Sequence, residues 1–493
     1  MSSVLQSIER VANRLPHPMA MFVYLCLLVV AFSWLGDVLA WGAQHPATGE
    51  WLQVRSLVSR DGWVYMLGSM VKNFMNFAPV GPVLVIALAF ALAEKSALLP
   101  TLIGNLTRHT KSNMLPVVVA FLGVMSSIAV DSGYVVLLPL CAAVFMAAGR
   151  HPLAGLTLGF ACVSGGFSAN LMVGPVDAIL SGISTEAVQL VADEEVSILA
   201  NYYFMLVSVV LIVVLTVLVN RWWVEPYLRD SPFEQVDLNT TASEPIAVHH
   251  LGKAFWGTLA AIVSCWLILT LPDQAVLRHP DTGSLLKGPF MGSLVVMIAL
   301  SVAILSTVYG VQNGRFKSWG EWVKALEQGI SDLAPYLVLM FVVAQFIAWF
   351  KWSILGTVLA VHLAALLQGW AVSPAIAMIG LMIFTSILNL LVGSASAKWA
   401  LLAPILVPAF YLLGIEPAAV QGAYRVADSS TNIITPLMPY FPLVLMYAQK
   451  YEKTIGVGRL LTLMLPYAMT LLIGWGGVFV LWIVLGIPLG PTG

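Results

Sequence analysis

Residues 114–151 read MLPVVVAFLGVMSSIAVDSGYVVLLPLCAAVFMAAGRH, two apolar arms around a polar VDSGY at residues 130–134. A helix needs roughly 20 apolar residues to cross the hydrocarbon, and each arm falls short of that. The pattern predicts a re-entrant hairpin, two short helices that enter and leave the membrane on one side. Adding 265 to these numbers leads to a second stretch of the same design, NLLVGSASAKWALLAPILVPAF at residues 389–410. Without a gap, Pro139 meets Pro404, Gly149 meets Gly414, Pro152 meets Pro417 and Ser164 meets Ser429, while Tyr134 faces Trp399. Apolar runs aligned by chance share Leu, Ala and Val, but seldom two prolines, a glycine and a serine as well. We read an internal duplication.

The rest of the chain fits a membrane setting. Of 493 residues, 59% are hydrophobic and 10% charged, with mean hydropathy +0.91, far outside the range of soluble domains. Lys+Arg 23 against Asp+Glu 24 offers nothing to nucleic acid. Cys26, Cys141, Cys162 and Cys265 lie in apolar runs without metal-type spacing and read as packing residues. The fold class expected is an all-α polytopic membrane protein of about nine spans plus two re-entrant hairpins, built from repeats of inverted topology.

The first repeat covers residues 1–222, with hairpin 1 at 115–148 and a broken span at 152–180. A cytoplasmic linker follows at 223–251. The second repeat covers 252–487, with hairpin 2 at 374–413, a broken span at 416–447 and a last span, and 488–493 is a tail. Each repeat also predicts an interfacial helix before a span, at 62–79 and at 320–335. With Arg10 and Arg14 inside under the positive-inside rule, the N-terminus is cytoplasmic, the C-terminus is outside, and the hairpins open to opposite sides. The inversion holds only if Trp352–Trp370 does not cross.

Four polar breaks interrupt the apolar runs: VDSGY at 130–134, SGGFSAN at 164–170, GSASAKW at 393–399 and ADSSTN at 427–432. They are read as helix interruptions, because lipid cannot satisfy free backbone groups and unwound segments persist only around a protein-lined cavity. Such segments hold anions at half-helix N-termini and cations at exposed oxygens. Ser164, Asn170, Ser394 and Ser396 therefore become candidate transport residues. Asp428 is the sharpest candidate, since an ionised carboxylate at mid-membrane is expensive. With Asn389, Ser429, Thr431 and Asn432 it offers hard oxygen ligands to Na⁺, and protonation of the carboxylate is the rival coupling. Arg425 either pairs with Asp428 on the same helical face or meets an anionic substrate. Trp399 either stacks on an aromatic substrate or anchors an interface, and Lys398 either serves transport or snorkels. Asp131 and Asp177 mirror the second-half sites less completely, and Pro417 sets the entry to a broken span.

SGGFSANLMVGPVDAI, NLLVGSASAKWALLAPILVPAF and YRVADSSTNIITPLMPYFPLV resemble the motifs of the p-aminobenzoyl-glutamate transporter (AbgT) family, above all its YdaH-type bacterial members. The resemblance implies a homodimer in the bacterial inner membrane, with nine spans and two re-entrant hairpins per subunit and no cofactor beyond a coupling ion, Na⁺ or H⁺. It implies handling of p-aminobenzoyl-glutamate, p-aminobenzoate and sulfonamides, by export with drug resistance or by import for folate synthesis. The family's functional positions fall on Asp177, Ser396, Trp399, Pro417, Arg425, Asp428 and Pro436, and its sodium-site pattern on Asn389 with Asp428. Beside this reading stand an intramembrane enzyme and a channel. No GxxxxGK[ST] loop or HExxH motif occurs in the chain, which argues against an ATP-driven pump and a zinc enzyme.

Overall fold

In a computed structural model of the chain, the residues described are 18–44, 50–98, 101, 112–126, 134, 137–229, 231–234, 251–285, 288–370, 372–390, 392–435, 438 and 440–491. Asp131 and Pro436 lie outside them, as does VDSGY apart from Tyr134. The chain opens on α1 (Pro18–Val38), strands β1 (Gly42–Gln44) and β2 (Trp51–Gln53), α2 (Arg60–Met75) and α3 (Val80–Lys95). Next come α4 (Leu115–Met125), α5 (Leu138–Ala147), α6 (Pro152–Gly165) and α7 (Pro175–Val188). Then follow α8 (Tyr202–Val219), which runs on through a π turn to Leu228, α9 (Lys253–Thr270) and α10 (Pro289–Gln312). After these come α11 (Trp319–Trp352), α12 (Leu355–Gly369), α13 (Pro374–Asn389), α14 (Ala395–Tyr411), α15 (Pro417–Asn432) and α16 (Phe441–Gln449). The last run is α17 (Val457–Thr470), a second π turn and α18 (Gly476–Val484).

Seven runs among the described residues are long and apolar enough to cross a membrane: α1, α2 with α3, α8, α9, α10, α11, and α17 with α18. Their outward side chains are apolar and uncovered, as at Trp256, Val263 and Ile268 of α9, the surface that lipid accepts and water does not. The centre is the reverse. Every residue of α6 is buried, and so is every residue of α15 from Ala419 to Asn432. Both α4 and α5 pack on α6, and both α13 and α14 pack on α15. With 11 residues, α4 is about 16 Å long, too short for a core of about 30 Å.

The two halves share backbone detail. Gly149 and Gly414 have φ of 72° and 77°, the left-handed conformation that ends a helix at little cost only in glycine. Around the first, the Arg150 N–H donates to the Phe145 carbonyl at 2.9 Å and the Gly149 N–H to Met146 at 3.0 Å. Around the second, Ile415 donates to Phe410 at 3.0 Å and Gly414 to Tyr411 at 2.9 Å. These are the same two bonds, 265 residues later. Pro152 and Pro417 then open α6 and α15 at the first helical position, where a missing N–H costs nothing. His151 Nδ1 caps α6 by accepting from the Leu153 N–H at 3.2 Å, and burial holds this imidazole neutral by pushing it down to about 4.

The fold is all-α as expected, with one short addition: β1 and β2 pair antiparallel with Ala43 opposite Leu52 and so satisfy the backbone leaving α1. Several expectations are corrected. The interfacial helix expected at 320–335 is not separate: α11 runs through Pro335 without a break, its flanking turns tolerating the lost bond within a 34-residue helix. ADSSTN is helical to Asn432, and the helix ends only after it, with 433–435 outside it. Its hydroxyls bond back to helix carbonyls, Ser430 to Val426 and Thr431 to Ala427, both at 2.7 Å, which lets them stay in helix. Likewise only the start of GSASAKW is unwound, since Ser394 caps α14 and the rest is its first turn. SGGFSAN does end a helix, at Gly165. Cys26, Cys141 and Cys162 are buried, but Cys265 is exposed on α9 and packs in no core.

A Cβ at Gly149 or Gly414 would meet nothing within 4 Å, so alanine there tests the backbone alone. Gly149→Ala and Gly414→Ala are each expected to cost about 1 kcal/mol, read as a lower unfolding temperature in detergent. An unchanged temperature would show that the paired turns are not what ends these helices.

Candidate functional site

α15 carries a polar stripe, Gln421, Arg425, Asp428, Asn432 and Thr435, whose 4-3-4-3 spacing puts it on one helical face that runs past the helix end. That face is wholly buried. Asn389, the last residue of α13, donates from Nδ2 to the Asp428 carbonyl and to Thr431 Oγ1, each at 2.7 Å. The Thr435 hydroxyl donates to the Asn389 carbonyl at 3.2 Å. Into this group reaches Lys398 of α14, whose ammonium bonds both the Asp428 carboxylate and Asn389 Oδ1. Lys398 and Asp428 are each 0% exposed. Lys398 thus does not snorkel, because its partner lies inside the protein and not at the membrane surface. Ser429 Oγ and Asn432 Oδ1, both buried, have no hydrogen-bond partner among the described residues.

Arg425 does not pair with Asp428, although the spacing on one face permits it. Its Nη2 donates to Asp177 Oδ1 at 2.6 Å and to the Ser168 carbonyl at 2.5 Å. Asp177 sits in the first turn of α7, and its Oδ2 accepts from the Gly174 N–H at 2.8 Å. A carboxylate at a helix N-terminus is favoured by the helix dipole, and the guanidinium neutralises what charge remains. Arg425 wins Asp177 because the break at 166–174 presents an unsatisfied carbonyl beside it, which Asp428 cannot offer. Asn170 belongs to the same corner: a Cβ at Gly174 would lie 4.0 Å from its Nδ2 and 3.9 Å from Asp177 Oδ2.

A third layer surrounds Trp399. Its indole N–H donates to the Leu180 carbonyl at 3.2 Å and Ser184 Oγ at 3.1 Å. Its ring lies 4.6 Å from that of Tyr424. Gln421 continues the chain, donating to Ser184 Oγ at 3.3 Å and accepting from Asn201 at 2.5 Å. With edge and face both engaged, Trp399 in this conformation locks α14 to α7 and leaves no face for a substrate ring. The breaks themselves meet across the repeats. Ser164 Oγ lies 3.2 Å from Met438 Sδ, Tyr134 stacks on Tyr440 at 4.1 Å, and a Cβ at Gly165 would stand 3.6 Å from the Ser429 carbonyl.

Asn389, Lys398, Asp428 and Thr431 are therefore brought together, with Ser429 and Asn432 beside them, while Asp177 and Arg425 form a second group on the same face. Ser394 and Ser396 face each other at 3.4 Å at the start of α14. Pro417 stands apart, 11 positions before Asp428 on α15, about 16 Å along the axis. Gln421, Thr435, Ser168, Ser184 and Asn201 were not anticipated. The stripe's spacing is a signal that finds the first two; Ser168, Ser184 and Asn201 join only through the fold. The first-half counterparts of Asn389, Lys398, Arg425 and Asp428 are Val124, Gly133, Phe160 and Val163, so this charge set belongs to the second half alone.

The model of the AbgT putative transporter family matches residues 3–493. The p-aminobenzoyl-glutamate transport protein of Escherichia coli (strain K12) is 32% identical over 486 residues, 98% of this chain and 95% of that protein. The crystal structure of the Alcanivorax borkumensis YdaH transporter, described as having an unusual topology, superposes with TM-score 0.92 at 45% identity, covering 97% of this chain and 100% of that one. Neisseria gonorrhoeae MtrF, described as illuminating a class of antimetabolite efflux pumps, superposes with TM-score 0.91 at 37% identity, covering 99% and 100%.

The Lys398–Asp428 pair makes a sharp prediction about folding. Asp428→Ala strands a buried ammonium, which costs about 3–5 kcal/mol, whereas removing both charges in Lys398→Met/Asp428→Ala is close to neutral. The single variant is expected to unfold at a markedly lower temperature, and the double variant to recover it. Equal unfolding temperatures for the two would show that the pair is not formed.

Proposed function

We propose, on the premise that this chain belongs to the AbgT putative transporter family, that it is a cation-coupled secondary transporter of aromatic carboxylates. Its cargo is p-aminobenzoyl-glutamate, p-aminobenzoate and sulfonamides of like shape, exported or imported as the cation gradient dictates. The name of the Escherichia coli relative supports the cargo, and the description of MtrF supports efflux of antimetabolites. The protein sits in the bacterial inner membrane as a homodimer, N-terminus in the cytoplasm and C-terminus in the periplasm. Each subunit has nine spans and two re-entrant hairpins, arranged as two repeats of opposite orientation.

The observation that carries this reading is the meeting of two interrupted helices from corresponding places in the chain around a fully buried polar stripe. Asp428, Asn389, Thr431, Ser429 and Asn432 offer a carboxylate and neutral oxygens, a donor set suited to Na⁺. Buried oxygens without partners, Ser429 Oγ and Asn432 Oδ1, are costly unless something binds them. The second group, Arg425 with Asp177, holds the first break in shape for the passage of cargo. In this reading α4, α5 and α6 with α7, and α13, α14 and α15 with α16, form the moving unit, and the long outer helices form the scaffold.

Purified protein in liposomes is expected to accumulate labelled p-aminobenzoate against its gradient when a Na⁺ gradient is imposed. Accumulation driven only by a pH gradient would replace Na⁺ with H⁺. Flux that merely dissipates gradients, or chemical conversion of the label, would contradict transport of this kind.

A further inference from the structure

The place that an incoming cation would take against Asp428 is filled by an amine of the protein itself. We propose that Lys398 is a tethered counter-ion: it competes with the coupling cation for Asp428 and Asn389 and, once displaced, anchors the substrate's carboxylate. The inference rests on the transport reading above and gives its site a coupling mechanism.

Charge balance carries the argument. Lys398 and Asp428 are both fully buried and neutralise each other. A cation that takes Asp428 leaves the ammonium unpaired in a setting where an uncompensated charge is strongly unfavourable. An anion restores neutrality, and the carboxylate of the cargo is one. A carboxylate arriving alone meets an ammonium already engaged. Cation and carboxylate therefore bind well together and poorly apart, which is what coupling requires.

Three further features fit the exchange. Ser429 Oγ and Asn432 Oδ1, flanking Asp428 on α15, are buried oxygens with no partner among the described residues; a metal cation can use them as ligands, while the ammonium's bonds go to Asp428 and Asn389. Lys398 lies in the first turns of α14, directly after the non-helical residues 392–394, so a small shift of that segment carries its Nζ away. That helix start also presents Ser394 and Ser396 and the positive end of a helix dipole, surroundings in which an anion is favoured. Gly133 and Val163 occupy the counterparts of Lys398 and Asp428, so only the second hairpin carries the device.

The test uses the full-length wild type, Lys398→Gln and Lys398→Arg, with p-aminobenzoate and the uncharged p-aminobenzamide as probes, each titrated in Na⁺ and in choline. Wild type is expected to bind p-aminobenzoate about tenfold or more tightly in Na⁺, with p-aminobenzamide indifferent to the ion. Lys398→Gln should need about tenfold less Na⁺ for half-saturation and lose its preference for the acid over the amide. Lys398→Arg, which keeps the charge, should keep both wild-type behaviours and serves as the folding control. A Lys398→Gln protein with wild-type Na⁺ half-saturation, or with the acid still preferred, overturns the inference. So does a wild type whose accumulation of p-aminobenzoate is indifferent to Na⁺, although transport itself then stands. Failure of wild type to accumulate p-aminobenzoate under any gradient would instead sink the transport reading.

Discussion

A backbone that unwinds inside hydrocarbon exposes N–H and C=O groups that lipid cannot satisfy, and the structure supplies their partners both locally and from the opposite half of the chain. In the first break the Ser168 carbonyl is held by Arg425 and the Gly174 N–H by Asp177, while Arg425 and Asp177 hold each other. One ion pair thus neutralises two charges and closes two backbone groups. Because Arg425 belongs to α15, the first break keeps its shape only while the second half is docked on it. The dependence is mutual. Trp399 of the second hairpin hangs on the Leu180 carbonyl of α7, and Tyr134 of the first hairpin stacks on Tyr440 at the end of the second break.

On this duplicated frame the charges are distributed unequally. The capping bonds at Gly149 and Gly414 and the prolines at 152 and 417 are shared, and they concern only backbone geometry. Asn389, Lys398, Arg425 and Asp428 have no polar counterparts in the first half. Buried ion pairs add little stability over apolar packing of the same volume, since desolvation costs several kcal/mol per ion. A chain that retains two of them in its most buried region, and leaves neighbouring oxygens unpartnered, is organised for a ligand rather than for stability alone. The first half supplies one of the paired charges, Asp177, and the second half the other three.

Much of the frame is legible in the sequence because it rests on residues with strong backbone preferences. Glycine at 149 and 414 and proline at 152 and 417 are local signals, and they locate the helix ends and starts of both halves. The break at ADSSTN lies several residues later than its composition suggests for a physical reason: Ser and Thr read as helix breakers, yet Ser430 and Thr431 bond back to their own helix. Pro335 read as a boundary and is not one, because a long packed helix absorbs the loss. The partners of the charges were the hardest part. Spacing on α15 permits Arg425 to meet Asp428, but a contact to Asp177, 248 positions away, depends on the docking of the halves, which no local pattern encodes. For Lys398 the sequence leaves both transport and snorkelling open, because nothing near it in sequence reveals that Asp428 and Asn389 converge on it.

The most direct measurement is an experimental structure of the protein in Na⁺ with p-aminobenzoate bound. The account predicts the ion among Asp428, Asn389 and Thr431, the Lys398 ammonium turned from Asp428 to the carboxylate, and Arg425 still on Asp177. An ion or ligand bound elsewhere, with the Lys398–Asp428 contact intact, would contradict it.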